Sequence, residues 1–187
     1  MTLANIMKLA LRQLDEAAED IAEYDELFTS YANMGYMIAI RLFYRPRETF
    51  VLTTDERGRA EICALPIRRV VGVKDEMGRE MHFDVAQDGA AIETNDKEAT
   101  LYVLCEVERQ PLQRGTDEPV MPAYAHAALA DYICYRHLSS GNLGKQSRAE
   151  FFRQSFYQQM RALSYEGEGS VTRRKNLYEV TDTRYRR

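Results

Sequence analysis

The chain has 187 residues, of which 45% are hydrophobic and 29% are charged, and its formal net charge is −4. This length allows one ordinary domain with a sizeable core and a small subdomain or tail, and the composition is that of a folded globular protein rather than a disordered one. No apolar run approaches the ~20 residues that a membrane span needs, and the N-terminal stretch lacks a signal-peptide pattern, so no membrane partner is expected. Three widely spaced cysteines indicate buried thiols in a reducing compartment: Cys63, Cys105 and Cys134.

Residues 1–46 are predicted to form the N-terminal helices of a bundle, a short helix over 3–13 and a long one over 20–44. The long helix carries an apolar stripe at helical spacing, formed by Leu27, Tyr31, Met34, Ile38 and Leu42. Small residues line an adjoining face where another helix could come close: Ala32, Gly35 and Ala39. Pro46 ends this helical region.

Residues 47–110 differ in pattern from the helical segments, because short runs of β-favouring residues alternate with turn residues. The predicted strands are 49–53, 69–73, 81–85, 91–94 and 101–107, with turn residues every 8–12 positions. This pattern predicts a small antiparallel sheet or sandwich inserted between helical segments. The fold class is therefore α+β, mainly α.

Residues 111–164 predict a helix pair that completes the bundle, with Pro122 in the first turn of its first helix and Gly141 at the end of that helix. The first helix is apolar on two faces, which indicates packing on more than one side: Ala125, Leu129, Tyr132 and Ile133 on one, Ala127, Ala130, Cys134 and Leu138 on the other. The second helix has a narrower stripe, formed by Phe152, Phe156, Met160 and Leu163.

Residues 165–187 are predicted to form an extended C-terminal arm that is unstructured unless a partner orders it. Between Arg173 and Arg187 lie six basic and two acidic residues, so this part carries +4 and, since the whole chain carries −4, the remainder carries −8. The opposite bias occurs from Asp15 to Glu26, with seven acidic and no basic residues. This polarity suits a protein that meets copies of itself or charged partners, although a solvated acidic helix and a frayed basic end would give the same pattern.

No sequence pattern supports catalysis, a cofactor or a metal site. The three histidines, His82, His126 and His137, lie in different segments, and His137 with Cys134 supplies too few ligands for zinc. The loop after residue 139 has two residues between its glycines where a phosphate-binding loop needs four. Carboxylates are plentiful, so a catalytic pair stays open, but nothing favours one. We predict that the protein is not an enzyme.

The order of segments resembles the head–tail adaptor (connector) proteins of tailed bacteriophages. The residues that carry the resemblance are Met121-Pro122-Ala123-Tyr124, the following Ala127-Ala128-Leu129-Ala130-Asp131-Tyr132 and Tyr135-Arg136, then a short loop, a second helix and an arm. Leu65-Pro66 followed by residues 69–73 is also similar to the way the chain enters a strand in that family.

The resemblance implies a virion protein at the capsid vertex, assembled in the bacterial cytoplasm as a ring with the twelve-fold symmetry of the portal. Such a ring docks on the portal protein, extends the DNA channel without sequence-specific DNA binding, and presents a surface to the tail or to the next connector. The arm would bind the portal through Arg173, Arg174, Lys175, Leu177, Tyr178, Tyr185, Arg186 and Arg187. The helices would supply core and subunit contacts through Tyr31, Met34, Ile38, Tyr132, Phe152 and Phe156.

Two alternatives remain at the level of sequence. One is a small nucleic-acid-associated protein that uses its basic tail for salt-dependent phosphate contacts, although the chain shows no recognition helix and its remainder is acidic. The other is a different virion component, such as a tail-completion or stopper protein.

Overall fold

The protein is described here by a computed structural model that covers residues 1–16, 21–139 and 143–167. The chain divides into a helical unit, which comprises residues 1–44 and the described residues from Pro111 onward, and a β unit, Arg45–Gln110. The fold is α+β and mainly α, with a small antiparallel β subdomain inserted between the helices of a bundle, as the sequence predicts. Residues 168–187, which contain most of the predicted arm, lie outside the described residues.

The helical unit is organised around one central helix. Its elements are α1 (Leu3–Leu14), α2 (Ile21–Ile38) with a π-helical continuation (Ala39–Tyr44), a short 3-10 turn (Ala123–Ala125), α3 (His126–Ser139), a second 3-10 turn (Leu143–Lys145) and α4 (Gln146–Gly167). Helix α3 packs against α1, α2 and α4, and α2 meets α4 through the π-helical continuation. This arrangement explains why α3 is apolar on two faces, as predicted. No helix in the described part of the chain combines the length and the apolar character needed to cross a membrane.

Helix α2 buries the small-residue face and not the large apolar stripe. Phe28, Ala32, Gly35 and Tyr36 are buried, whereas Leu27 and Met34 of the predicted stripe are 42% and 40% exposed. Gly35 allows this approach, because a Cβ atom placed there would lie only 2.9 Å from Cγ and Cδ1 of Tyr132 in α3. The prediction of a close helix contact at the small residues is therefore correct.

Helix α4 buries the predicted stripe and extends further than predicted. Phe152, Phe156, Met160 and Leu163 are all buried against the rest of the bundle. The sequence predicts that the helix pair ends at residue 164 and that the extended arm begins at residue 165, but α4 continues to Gly167. Extending an existing helix adds one backbone hydrogen bond per residue, so the ordinary helix propensities of residues 164–166 are sufficient for this extra turn.

The β unit contains two antiparallel sheets. Its strands are β1 (Arg47–Thr53), β2 (Arg59–Glu61), β3 (Ile67–Lys74), β4 (Glu80–Met81), β5 (Asp84–Val85), β6 (Ala91–Glu93) and β7 (Thr100–Val107). One sheet has the order β1-β7-β3-β4 and the other the order β2-β6-β5. Both sheets contribute side chains to one apolar core, formed by Ala60, Ile62, Val73, Ile92, Leu101, Val103 and Cys105.

The single strand predicted over 81–85 is two strands in different sheets. Met81 pairs with Val73 in the four-stranded sheet, whereas Val85 pairs with Ile92 in the three-stranded sheet. The chain changes sheets between them. The alternating pattern of residues 81–85 therefore corresponds to two short segments in different sheets, of which Asp84–Val85 is exposed, and not to one continuous strand.

Two turns of the β unit share the sequence Asp-Glu-x-Gly-Arg: the first joins β1 to β2 of the other sheet, and the second closes the β3–β4 hairpin. In each, one carboxylate oxygen of the aspartate accepts backbone N–H groups two and four residues later: Asp55 from Arg57 (2.8 Å) and Arg59 (2.9 Å), and Asp75 from Met77 (2.9 Å) and Arg79 (2.8 Å). These backbone hydrogen bonds hold the pKa values of both carboxyl groups below their ordinary range. The glycines have φ values of +79° and +75°, which other residues rarely adopt.

The two ends of the inserted β unit lie side by side. Arg47, the first residue of β1, pairs with Glu106 near the end of β7. The N–H of Val107 donates to the carbonyl of Pro46 (2.9 Å), and Arg109 forms an ion pair with Glu48. The chain therefore enters and leaves this unit through neighbouring strands of one ladder.

Candidate functional site

Two of the three histidines, His126 and His137, are engaged in contacts inside the helical unit, whereas His82 is exposed in the β unit. His126 is buried, and because the Met121 carbonyl (2.9 Å) can only accept, its Nε2 must donate, which leaves Nδ1 to accept from the amino group of Met1 (2.7 Å). His137 packs edge-on against the rings of Tyr24 and Phe28, and this burial lowers its pKa. Within the described ranges, no three side chains of His, Cys, Asp or Glu are grouped as a metal site would require.

The cysteine thiols divide into two buried groups and one exposed group. Burial raises the pKa of Cys134 to about 12 and that of Cys105 to about 11, so both remain protonated near neutral pH and are poor nucleophiles. Cys63 is exposed, so the prediction that all three thiols are buried is wrong at this position. It follows the three-residue strand β2, and sequence patterns seldom reveal the exposure of so short a strand.

A buried carboxylate in α3 forms a polar layer inside the bundle. Asp131 is buried and accepts three hydrogen bonds from neutral donors, which come from Gln13 (3.0 Å), Ser155 (2.6 Å) and Gln159 (2.8 Å). The amide oxygen of Gln13 in turn lies 3.3 Å from the thiol of Cys134. These contacts join α1, α3 and α4, so this layer sets the alignment of three helices and is not open to a substrate.

The β unit carries a polar cavity of about 440 Å³ beside its three-stranded sheet. Its lining includes three residues of basic type, Arg57, Arg59 and His82, and two acidic residues, Asp84 and Glu93. Several of these side chains are exposed to solvent, and the mixed charges favour neither an anion nor a cation. The cavity therefore does not define a ligand class.

The outer surface of α2 carries an acidic and apolar ridge. We name as the α2 ridge the exposed residues that recur at i, i+4, i+7 and i+11: Glu23, Leu27, Ser30 and Met34. Glu26 is exposed beside it, and neither Glu23 nor Glu26 has an ion-pair partner within the described residues. Two large apolar side chains thus lie in water next to unpaired negative charge.

The outer surface of α4 carries a patch of one large apolar side chain and two neutral polar ones. We name as the α4 patch the exposed residues Ser147, Phe151 and Gln154. Phe151 is 66% exposed and contacts the ring of Phe152, which is itself buried. Arg148 lies next to the patch, where it bonds to the carbonyl of Gln13 and to the carboxylate of Asp15 (2.8 Å).

The residues predicted for subunit contacts divide between core and surface. Tyr132, Phe152 and Phe156 are buried inside the bundle, so of the two predicted roles they take that of core residues. Tyr31 and Ile38 are half-buried against the same core. Met34 is the one residue among the six that is exposed, at 40%.

The residues predicted to bind the portal, Arg173 through Arg187, lie outside the described residues.

Sequence reasoning did not identify Phe151, the most exposed large apolar residue on the helical unit's described surface. Phe152 and Phe156 continue the buried stripe of α4, and Phe151 precedes that stripe by one position, which places it about 100° around the helix. An apolar residue outside an otherwise regular stripe is the pattern that would have indicated it.

A scan against models of known protein families finds none that matches this chain. A search of curated proteins likewise finds no significant match.

Proposed function

We propose that this protein is a structural component of a tailed bacteriophage, a ring-forming head–tail adaptor. Twelve copies would dock on the portal at the capsid vertex, extend the DNA channel and present the attachment surface for the tail or the next connector. The function is assembly and not catalysis.

The observation that carries this proposal is the exposure of large apolar side chains on two separate helices of the bundle. Leu27 and Met34 on α2, and Phe151 on α4, lie in solvent in the single chain. Covering apolar surface is favourable by roughly 25 cal/mol per Å², so such residues favour contact with other protein surfaces. A ring subunit needs two such surfaces, one for each neighbour.

The C-terminal arm is the second element of the proposal. Its charge of +4 contrasts with the −8 of the remaining chain, so the arm is suited to an acidic surface on a partner. A segment that is ordered only on docking adds interface area at the cost of ordering entropy, and assembly can thereby be timed to the arrival of the portal.

Electron microscopy of the purified protein mixed with the portal of the same phage tests this function. We expect a coaxial ring of twelve copies on the portal. A truncation that ends at Gly167 should lose portal binding while its far-ultraviolet circular dichroism remains helical. A full-length variant with Arg173, Arg174 and Lys175 changed to glutamine is the matched control for arm length, and it should bind more weakly and with a smaller salt dependence.

Two outcomes would contradict the proposal. If the full chain fails to bind the portal, or if virions lack this polypeptide, the adaptor function is wrong. If the truncation binds as well as the full chain, only the role of the arm is wrong. A filter-binding titration with DNA separates the nucleic-acid alternative, which requires affinity at low salt that falls steeply as salt rises.

A further inference from the structure

We propose that a cluster of tyrosine and arginine side chains on α2, α3 and α4 binds an acidic segment of a partner protein, with one carboxylate of that segment bound by Arg136. We name this surface the Tyr–Arg cluster, and its side chains are Tyr31, Tyr132, Tyr135, Arg136, Arg153 and Tyr157. The inference goes beyond the proposed adaptor function, because it assigns a ligand class to a surface of the helical unit whichever protein supplies that ligand.

Arg136 is a half-buried cation that lacks an acidic partner within the described part of the chain. Its guanidinium carbon lies 5.7 Å from the ring centroid of Tyr31. Its Nε is buried and donates to no acceptor among the described residues. Withdrawing a charge from water is costly unless an opposite charge compensates for it, so a carboxylate from outside the chain would stabilise this side chain.

Tyrosine side chains surround this cation. The rings of Tyr132 and Tyr135 meet edge-to-face with a centroid distance of 5.7 Å. Burial raises the pKa of Tyr132, and the charge of Arg136 opposes this rise, so the two side chains are close. Within the described residues, neither Tyr135 nor Tyr157 forms a hydrogen bond through its hydroxyl group. These hydroxyl groups can therefore donate to an incoming carboxylate.

The cluster continues into an open groove of about 680 Å³ on α4. Each described residue that lines the groove can donate hydrogen bonds, and none of them is acidic or aliphatic: Arg153, Gln154, Tyr157, Gln158 and Arg161. The hydrogen bond to Glu150 raises the pKa of Arg153, with smaller contributions from Tyr135 and Tyr157, so α3 and α4 meet at this side chain. Amide and guanidinium groups in such a groove suit the backbone carbonyls and carboxylates of an extended acidic segment.

The charge of this surface favours a carboxylate over a nucleic acid. Glu150 already neutralises Arg153, with its two oxygens 2.7 Å from two guanidinium nitrogens. A nucleic acid is bound through several phosphates at once, whereas one unpaired guanidinium matches one carboxylate in a bidentate contact. Tyrosine and arginine are also the residue types that are enriched at the centres of protein interfaces.

A hexaglutamate peptide with capped ends is the probe for this surface. All proteins are full-length and carry Arg173, Arg174 and Lys175 changed to glutamine, so that the basic arm does not capture the peptide. Nuclear magnetic resonance of isotope-labelled tyrosine follows the titration. We expect saturable shifts of Tyr31 and Tyr135.

Substitutions at the cation test its role. Arg136→Gln should weaken peptide binding about tenfold, because the charged hydrogen bonds are lost, and Arg136→Lys should give an intermediate affinity, because it keeps the charge without the planar fork. Glu150→Gln should strengthen binding about two- to threefold, since it releases Arg153. Arg12→Gln is the matched control: it removes the same charge from an exposed position of α1 and should leave the affinity unchanged.

Three results would overturn the proposal. The first is the absence of saturable tyrosine shifts, and the second is an Arg136→Gln protein that is folded in urea titrations and binds the peptide as well as its parent does. The third is duplex DNA that binds with the same dependence on Arg136, because the surface would then be a phosphate site. Portal rings without peptide binding would refute this site alone, and peptide binding without portal docking would refute the adaptor function alone.

Discussion

Replacing Gly35 with alanine should destabilise the helical unit, although the same change in an exposed helix normally stabilises. In a helix interior alanine is favoured over glycine by about 1 kcal/mol. At this position the new Cβ would lie 2.9 Å from Cγ and Cδ1 of Tyr132 and 3.1 Å from its Cβ. These atoms lie close to the backbone of α3, so they cannot swing away as the end of a long side chain could.

The size of the effect follows from these opposing contributions. The ring of Tyr132 packs against the rings of Phe156 and Tyr135, with centroid distances of 4.8 Å and 5.7 Å. Because the ring cannot move aside, α2 and α3 must move apart to relieve the overlap. Overpacking a core by one methyl group costs about 1–3 kcal/mol, and subtracting the gain in propensity leaves a net loss of about 1 kcal/mol. Gly35→Val should lower the free energy of unfolding further than Gly35→Ala does, since valine adds two more carbon atoms at the same point.

Urea unfolding followed by circular dichroism at 222 nm measures this loss, because the helices lie in one unit. The expected result is a lower midpoint with an unchanged slope. Gly144→Ala is the matched control: its new Cβ would meet nothing within 4 Å, so stability should stay equal or rise. A Gly35→Ala protein as stable as the wild type would refute the inference that glycine is required for the close approach of α2 and α3.

Three further predictions concern buried polar and titratable groups. Asp131→Ala should lower the free energy of unfolding by about 3 kcal/mol in the same urea assay, because it leaves buried donors unpaired, and Asp131→Asn should cost less. Burial holds the pKa of His137 below its ordinary value of 6.5, so the unfolded chain binds a proton that the folded chain resists. The free energy of unfolding should therefore contain a contribution that falls as the pH drops through 6.5, and His137→Phe should remove this contribution from urea midpoints measured between pH 7 and pH 5. A thiol reagent at pH 8 should modify Cys63 in the folded protein at once, and Cys105 and Cys134 only after denaturant is added; rapid reaction of all three would contradict the burial that raises the latter two pKa values.

The sequence predicts those elements whose burial is dictated by periodicity. Helices α3 and α4 bury the residues that their stripes indicate, except Ala127, which is half-buried, and β7 forms over the run with the most consecutive β-favouring residues. In these segments local propensity and tertiary packing require the same residues, so one pattern reports both.

Periodicity does not predict the orientation of α2, because this helix has two apolar faces. The stripe of Leu27 and Met34 is the more hydrophobic, but the face with Ala32 and Gly35 allows α3 to approach more closely and gains more packing contacts. Which face of α2 is buried depends on its packing partner Tyr132, which is almost one hundred positions away in the chain. Single-chain patterns do not contain that pairing.

The candidate assembly surfaces are only partly predictable for the same reason. The stripe of α2 predicts Met34 as a candidate contact residue, whereas no stripe indicates Phe151, because it lies outside the stripe of α4. The repeated Asp-Glu-x-Gly-Arg turn, by contrast, is a local structure that depends on five consecutive residues. Local hydrogen bonding of this kind can be predicted from sequence, whereas the helix face that becomes buried depends on residues far away in the chain and cannot.

The pairing of Arg47 with Glu106 has a consequence for how such a protein can diversify. Two chain ends held about 5 Å apart present the bundle with a gap that a tight turn could also bridge. A gene segment that encodes this module could thus be lengthened, exchanged or deleted without stretching the helices on which it is mounted. Recombination among related genes would then leave the helical unit constant while it replaces the surface that the β unit displays.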